Sequence, residues 1–328
     1  MAKRACTLQD IADQIGCARN TVSLALRGTT RISLKMRRRI ERVAVRMGYV
    51  PNLAARNLKT RKSGLIGIYA DGAQDDVRVT LINSLVTQLH STRYKPILGL
   101  ADAPDDPLQT SPWLQSFRAL SVEALVVVAH EICEADMSVL EHAPTIVVGC
   151  EPGGVGEAAD CIALDRHAAG RIGAEHLQAT GQTEICVIPR AGAFGKGCLA
   201  ALRQAGLKPC GPAVRADLPP EAMAGLCDKV LAARPRPTAV ILGDSPLAVH
   251  FLRAALQRGV SIPEDLAVIG YDYFAWAEDL KVPLTTIEQP VPEMAALAVD
   301  LAKRRLAEPD APIVQHVLPH RLVIRESA

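Results

Sequence analysis

The chain has 328 residues, 49% hydrophobic, 22% charged and 3% aromatic, enough for one large or two modest globular domains and too apolar for a disordered chain. No run approaches the roughly 18 apolar residues of a membrane helix. The start MAKRACTLQDIADQIG lacks the apolar stretch of a secretory leader, so a cytoplasmic protein without a membrane partner is expected. The formal charge of +2 hides a division: residues 1–62 hold fifteen Lys and Arg against Asp10, Asp13 and Glu41, a net +12, leaving −10 on the remaining 266. A small basic module on a larger acidic body suits a polyanion partner, because Lys and Arg placed at phosphates release condensed counterions. A solvated basic face is the plain alternative. Nine cysteines (6, 17, 133, 150, 161, 186, 198, 210, 227) are odd in number, scattered and never spaced C-x-x-C. Most sit in apolar runs, where a reduced thiol acts as a small buried hydrophobe. No cluster has the ligand count of a structural zinc site, so neither metal nor cofactor is expected.

In TLQDIADQIG, Leu8, Ile11, Ala12 and Ile15 share one helical face, Thr7 and Asp10 form a capping-box start and Gly16 a stop, which predicts a helix over 7–15. A second short helix follows in ARNTVSLALRG, with Val22, Ala25 and Leu26 inward and Gly28 ending it. Two short helices joined by a tight Gly-containing turn predict a helix-turn-helix. A third begins at Ser33, buries Ile40, Val43, Ala44 and Met47, and turns Lys35, Arg37, Arg38, Arg39, Arg42 and Arg46 outward.

From Thr7 to Leu58 the ordered signatures T-L-x-D-I-A, N-T-V-S, G-Y-V-P-N and A-A-R-N-L resemble the DNA-binding headpiece of the lactose-repressor (LacI/GalR) family of bacterial transcription regulators. The resemblance implies that the second helix enters the major groove, with Arg19, Asn20 and Leu24 at base-reading positions and Thr21 and Ser23 at phosphates. The chemistry suits: Arg bonds guanine O6/N7 and Asn adenine N6/N7 in a bidentate way, whereas phosphate contacts fix register. Leu24 departs from the family's polar reader and can only pack on a thymine methyl. Ala18 stands where Ser or Thr is usual, which removes a cap worth about 1 kcal/mol. The segment after Pro51 matches the family's hinge helix. Ala55, Arg56 and Leu58 are implied in the minor groove, Leu58 as a wedge that needs a second copy beside it. A plain linker is the alternative.

Beyond Ser63-Gly64, short apolar runs at 65–70, 95–101, 124–130, 145–150, 184–189, 239–243 and 266–272 alternate with helical patterns at 77–92, 166–180, 196–206, 220–233 and 246–258. That alternation predicts parallel sheets with helices on both faces, in two lobes. The stretches ALDRHAAGRIGAEHLQATG, SIPEDLAVIGYD and PLTTIEQP resemble the same family's periplasmic-binding-protein-like core, which implies three crossings between lobes and a small-molecule cleft.

Catalytic motifs fail. Gly154–Ala159 fits G-x-G-x-x-A formally but puts Glu157 where pyrophosphate would sit, and Gly192–Gly197 is too short for a P-loop and lacks Ser or Thr after Lys196. Neither a metalloprotease pair nor a G-x-S-x-G elbow occurs. The effector positions depart from the family. Phe194 stands where an arginine is common and Gly243-Asp244 replaces Asn-Asp, while Asp272 of G-Y-D is retained. Asp272, Arg78, Phe194, Trp276 and Tyr273 are the candidate effector residues, Trp276 and Tyr273 as a flat pocket wall. Loss of two polar anchors argues against an ordinary sugar. Arg78 suits a carboxylate or phosphate, hence an anionic effector, with a solvent-facing arginine as the alternative.

The expected fold is an N-terminal all-α helix-turn-helix headpiece (1–50), a hinge helix and linker (51–62) and an α/β two-lobed periplasmic-binding-protein-like core with parallel sheets (63–328). Lobe N covers about 63–161 and 291–318, lobe C about 162–290 and 319–328. The expected protein is a non-enzymatic, nucleoid-associated repressor that binds a pseudo-palindromic double-stranded DNA operator as a homodimer, since VLPHRLVIRESA closes the chain without a leucine-rich tetramerisation helix. Its operator affinity shifts as a cleft ligand, inducer or co-repressor, biases the hinge. Two alternatives are an effector-independent regulator with a degenerate cleft and a cytoplasmic α/β enzyme with an accessory DNA-binding head.

Overall fold

Thr7 opens the first helix as its spacing to Asp10 predicts. In the computed structural model the Thr7 hydroxyl accepts from the Asp10 N–H while the Asp10 carboxylate accepts from the Thr7 N–H at 2.8 Å, a closed capping box over α1 (Leu8–Ile15). The structure describes all residues except 1–5, 27–31, 50–61, 72–75, 102–111, 130–142, 157, 189–191, 213–218 and 273–275. Gly16, at φ 76°, takes the left-handed turn that ends α1. Next come α2 (Arg19–Leu26) and α3 (Leu34–Arg46), the latter capped by the Ser33 side chain on the Met36 N–H. Ile11, Ala12, Ile15, Val22, Ala25, Ile40 and Ala44 make one small core, ringed by Leu8, Leu26, Val43, Met47 and Tyr49. The head is a unit of its own, residues 1–63.

Residues 64–328 form the second unit, with two sheets. The first contains β1 (Leu65–Asp71), β2 (Lys95–Ala101), β3 (Ala124–Val128), β4 (Thr145–Val148), β5 (Asp160–Leu164) and β10 (Gln315–Leu318), in the order β10-β5-β4-β3-β1-β2 and parallel throughout. The second holds β6 (Ile185–Ile188), β7 (Ala239–Leu242), β8 (Ala267–Tyr271), β9 (Thr285–Glu288) and β11 (Arg321–Val323) in the order β11-β9-β8-β7-β6; it is parallel except for the antiparallel edge β11. Strands such as ALVVV and AVIL are buried along their whole length, which is why they read as continuous apolar runs.

Helices cover both faces of each sheet. On the first, α4 (Asp76–His90) and α10 (Val291–Ala307) press Leu81, Leu85, Met294 and Ala298 onto Ile68, Val126 and Ile146. The opposite face receives Leu114 and Phe117 of α5 (Pro112–Ala119). On the second sheet, α8 (Met223–Ala232) and α9 (Ser245–Gln257) bring Leu226, Val230 and Phe251 to one face. On the other face, α6 (Arg166–Ala179) and α7 (Ala193–Gln204) bring Leu177, Cys198 and Leu202. Helices α6 and α7 meet backbone to backbone: a Cβ on Gly170 would lie 2.0 Å from the Phe194 carbonyl oxygen, and one on Gly197 1.9 Å from that of His167. The glycines of Gly192–Gly197 thus start a helix and admit a neighbour instead of cradling a phosphate.

The chain passes between the sheets three times, from β5 into α6, from β9 into α10 and from β10 into β11. The first passage comes after Leu164 and not at 161/162 as the sequence suggests, because β5 stays paired through Leu164 with Leu318 of β10. At the start of β5, Asp160 is buried and accepts from Arg305 of α10 at 2.8 and 3.0 Å and from the Val314 N–H at 2.9 Å. This pair ties the returning helix and β10 to the first sheet. In the second sheet, Ser327 donates to the Val268 carbonyl at 2.6 Å and accepts from the Thr285 N–H at 2.8 Å.

Among the described residues no helix is long and apolar enough to cross a membrane. The strands β5, β9, β10 and β11 and the helices α5 and α10 were not among the runs and patterns read from the sequence.

Candidate nucleic-acid interface and ligand cleft

The two apolar faces of α2 and α1 decide what α2 shows to solvent. Burial of Val22 and Ala25 leaves Arg19 and Asn20 exposed in the first turn, with Ser23 and Leu24 one turn further along the same side and half-buried, as is Thr21. Arg19, Asn20, Ser23 and Leu24 therefore share one side of one helix, with Thr21 in the same first turn. Ala18 has no capping side chain; its carbonyl accepts from the Thr21 N–H at 2.8 Å and from the Val22 N–H at 3.3 Å. Lys35, Arg38, Arg39, Arg42 and Arg46 are exposed on α3, whereas Arg37 is engaged by Glu41 at 3.0 Å. Burial raises the Tyr49 phenol above its ordinary range, with Arg19 acting in the opposite sense, which keeps it neutral beside the start of α2. Ala55, Arg56 and Leu58 lie outside the described residues.

The second site lies at the carboxyl ends of both parallel sheets, where α/β folds place ligands. A cleft of about 40 Å³ is lined by Val77, Arg78 and Leu81 of α4, Val128-Ala129 after β3, Val148-Gly149 after β4, Asp272 after β8, Gln289 after β9 and Met294 of α10. Asp272 has φ 91°, an unusual conformation for a residue with a Cβ, at a cost of order 1–3 kcal/mol. Its N–H donates to the Ile287 carbonyl at 2.9 Å, and its carboxylate accepts from the Gln289 amide at 2.5 Å, both of which help to hold it there. Six apolar side chains with two charged groups and an amide make a pocket for a ligand with an apolar body and few polar ends.

The cleft brings Arg78 and Asp272 together, and neither Phe194 nor Trp276 is among its described lining residues. Phe194 is a correction: it is 4% exposed and stacks on Tyr271 with ring centroids 4.4 Å apart, so it fills the core under the second sheet and does not reach the cleft. Trp276 is 63% exposed and is not among the described residues that line this cleft. Tyr273 lies outside the described residues. Asp244 caps α9, accepting from the Leu247 N–H at 3.1 Å.

Sequence reasoning passed over a group behind the cleft. Arg166, at the first passage between lobes, donates to the Gly149 carbonyl at 2.7 Å and to Glu151 at 3.1 Å, clasping the second lobe to the first. Tyr271 and His320, the latter at the third passage, share a buried hydrogen bond at 3.1 Å. Burial, and then the charge of Arg166, pushes the His320 imidazole down to about 4, partly opposed by Asp165. Burial likewise raises the Tyr271 hydroxyl well above its ordinary value. The signal for Arg166, Gln289 and His320 was position: each adjoins a lobe passage.

Comparison with known proteins bears on both sites. Residues 7–52 match the family described as bacterial regulatory proteins, lacI family, and residues 174–328 match the periplasmic binding protein-like domain. The chain is similar to the HTH-type transcriptional repressor PurR of Klebsiella pneumoniae, 27% identical over 314 residues, 92% of this chain and 90% of the relative. It is similar also to the ribose operon repressor of Escherichia coli, 26% identical over 313 residues, 92% of this chain and 94% of the relative. Among solved structures, the lac repressor dimer bound to operator and the anti-inducer ONPF superposes with a TM-score of 0.83 at 20% identity, covering 99% of each chain.

Proposed function

Because the chain belongs to the lacI family of bacterial regulatory proteins, we propose that it is a cytoplasmic repressor that binds a pseudo-palindromic operator as a homodimer and answers to a small molecule in the interlobe cleft. One observation carries the reading: Arg19 and Asn20 stand exposed on the first turn of the second helix of a helix-turn-helix, within a segment of net charge +12. In this reading Arg19 and Asn20 read base edges, Leu24 packs on a thymine methyl, and Thr21 and Ser23 hold phosphates. Ala55, Arg56 and Leu58 then act in the minor groove, where an apolar wedge must offset the unstacking of a base step.

The dimer draws support from the free edge of the first sheet. Among the described residues strand β2 pairs only with β1, and its Leu98 and Leu100 are exposed apolar side chains of the kind association covers. The effector draws support from the cleft lining. Arg78 suits an acidic group, while the Asp272 carboxylate opposes a bare anion and asks for a donor. The ligand class that fits is a small acid with an apolar body and its own hydroxyl or ammonium group.

Selection of duplex DNA from a random pool by the purified protein tests this. The expected product is a palindrome, with Arg19→Ala relaxing one position per half-site at a cost of about 1–3 kcal/mol. Failure to enrich any sequence, with and without candidate acids, sinks the operator reading. With the operator in hand, a ligand that shifts its affinity in wild type and not in Arg78→Ala identifies the effector class. Unchanged affinity across a broad set of acids favours an effector-independent regulator.

A further inference from the structure

Cys150 and Cys161 are far apart in spacing motifs but together in the first lobe. Cys150 follows Gly149 where the chain leaves β4 and turns at φ 95°; Cys161 is the second residue of the neighbouring β5. Their sulfurs are 2.8 Å apart, and the two residues are 2% and 0% exposed. A disulfide needs about 2.05 Å, so a shift of well under 1 Å brings them to bonding distance. Scattered spacing hid the pair, since the β4–β5 register and the Gly149 turn bring it together.

Its neighbours give the pair a consequence. Gly149, on one side of Cys150, lines the cleft and accepts from Arg166 at 2.7 Å; Glu151, on the other side, accepts from Arg166 at 3.1 Å. Any movement of Cys150 toward Cys161 moves both acceptors of the guanidinium that joins the lobes at the first passage. We infer that Cys150 and Cys161 are a reversible dithiol–disulfide pair whose oxidation by a hydroperoxide resets the Arg166 clasp and so the geometry of the cleft.

The two sulfurs are not equivalent. The hydrogen bond with Cys150 lowers the Cys161 thiol below the ordinary value, whereas that same bond and burial raise Cys150. The proposed sequence starts at Cys161. Its thiolate attacks one oxygen of hydrogen peroxide, the O–O bond breaks, and the departing hydroxide leaves as water with the thiol's proton; Cys161 becomes a sulfenic acid. The Cys150 sulfur then attacks the Cys161 sulfur, the S–O bond breaks, and the Cys150 proton leaves with the hydroxide as a second water. Two thiols and one peroxide give one disulfide and two waters, the sulfurs losing the two electrons the peroxide gains. A dithiol reductant reverses the step by exchange.

The test uses the full-length protein and hydrogen peroxide. Differential alkylation and peptide mapping after brief oxidation should show Cys150 linked to Cys161, removed by dithiothreitol and absent from Cys161→Ala and Cys150→Ala. Hydrogen exchange should then change at 145–151 and 165–170 in wild type and stay constant in both variants. These readouts need no DNA, so they fail or succeed apart from the repressor reading. The effect on DNA rests on that reading: oxidation should change affinity for the selected operator by at least threefold in wild type only. Both thiols still alkylatable, either one oxidised singly to sulfinic acid, or a linked pair with unchanged exchange at 145–151 and 165–170 overturns the inference.

Discussion

A neutral imidazole between charged neighbours makes His320 a pH-dependent weak point. Its native value of about 4 is below the ordinary 6.5, so between these limits the unfolded chain binds a proton that the native chain refuses. The contribution is present in full above about pH 6.5 and is lost as pH falls toward 4, on the order of 2–3 kcal/mol over the window. Urea midpoints of the body at pH 7.5 and 5 should therefore differ, and His320→Gln should narrow the gap; an equal gap in both proteins assigns the acid sensitivity elsewhere. Asp160 gives a second prediction. Its removal strands the Arg305 guanidinium in a buried site, so Asp160→Ala should lower stability by about 3–5 kcal/mol in denaturant titration. A loss below 1 kcal/mol would show that water relieves the orphaned charge. At this scale the sequence was legible where a periodicity fixes direction: burial of Val22 and Ala25 turns Arg19 outward. It was illegible where direction depends on a partner from another strand, as when Tyr271 draws Phe194 into the core.

Elements were readable in proportion to how much their own residues decide them. Helix α1 carries its start box, its apolar face and its stop within Thr7–Gly16. Strands β3 and β7 announce themselves as unbroken apolar runs. By contrast β10 is an edge strand of alternating exposure, QHVL, and β11 has three residues; both exist because a neighbouring strand supplies the partners. Helix α10 rests on the first sheet largely through alanines, Ala295, Ala298 and Ala302, which make a weak pattern in sequence but allow close packing. The α6–α7 contact allows a test of such closeness. Gly197→Ala must push the helices apart or bend one of them, and should cost about 1–3 kcal/mol or more in urea unfolding. A neutral outcome means that the two helices slide without losing their core.

The whole molecule divides its charge as it divides its labour, a +12 head on a −10 body. Electrostatics of that kind should make operator binding steeply salt-dependent: with six or more phosphates neutralised, affinity falls about 10³-fold or more between 50 and 200 mM salt. Fluorescence anisotropy across that range measures the slope, and a nearly flat one would mean that the head binds chiefly through base contacts. The three passages between lobes also order events during synthesis. The head is complete within its first 63 residues and can fold as soon as they leave the ribosome. Neither lobe can finish so early, since the first waits for β10 at 315–318 and the second for β11 at 321–323. Throughout most of translation the nascent chain therefore pairs a finished DNA-binding head with a body that cannot yet sense anything, and premature stops over nearly the whole body gene segment yield heads without a control device.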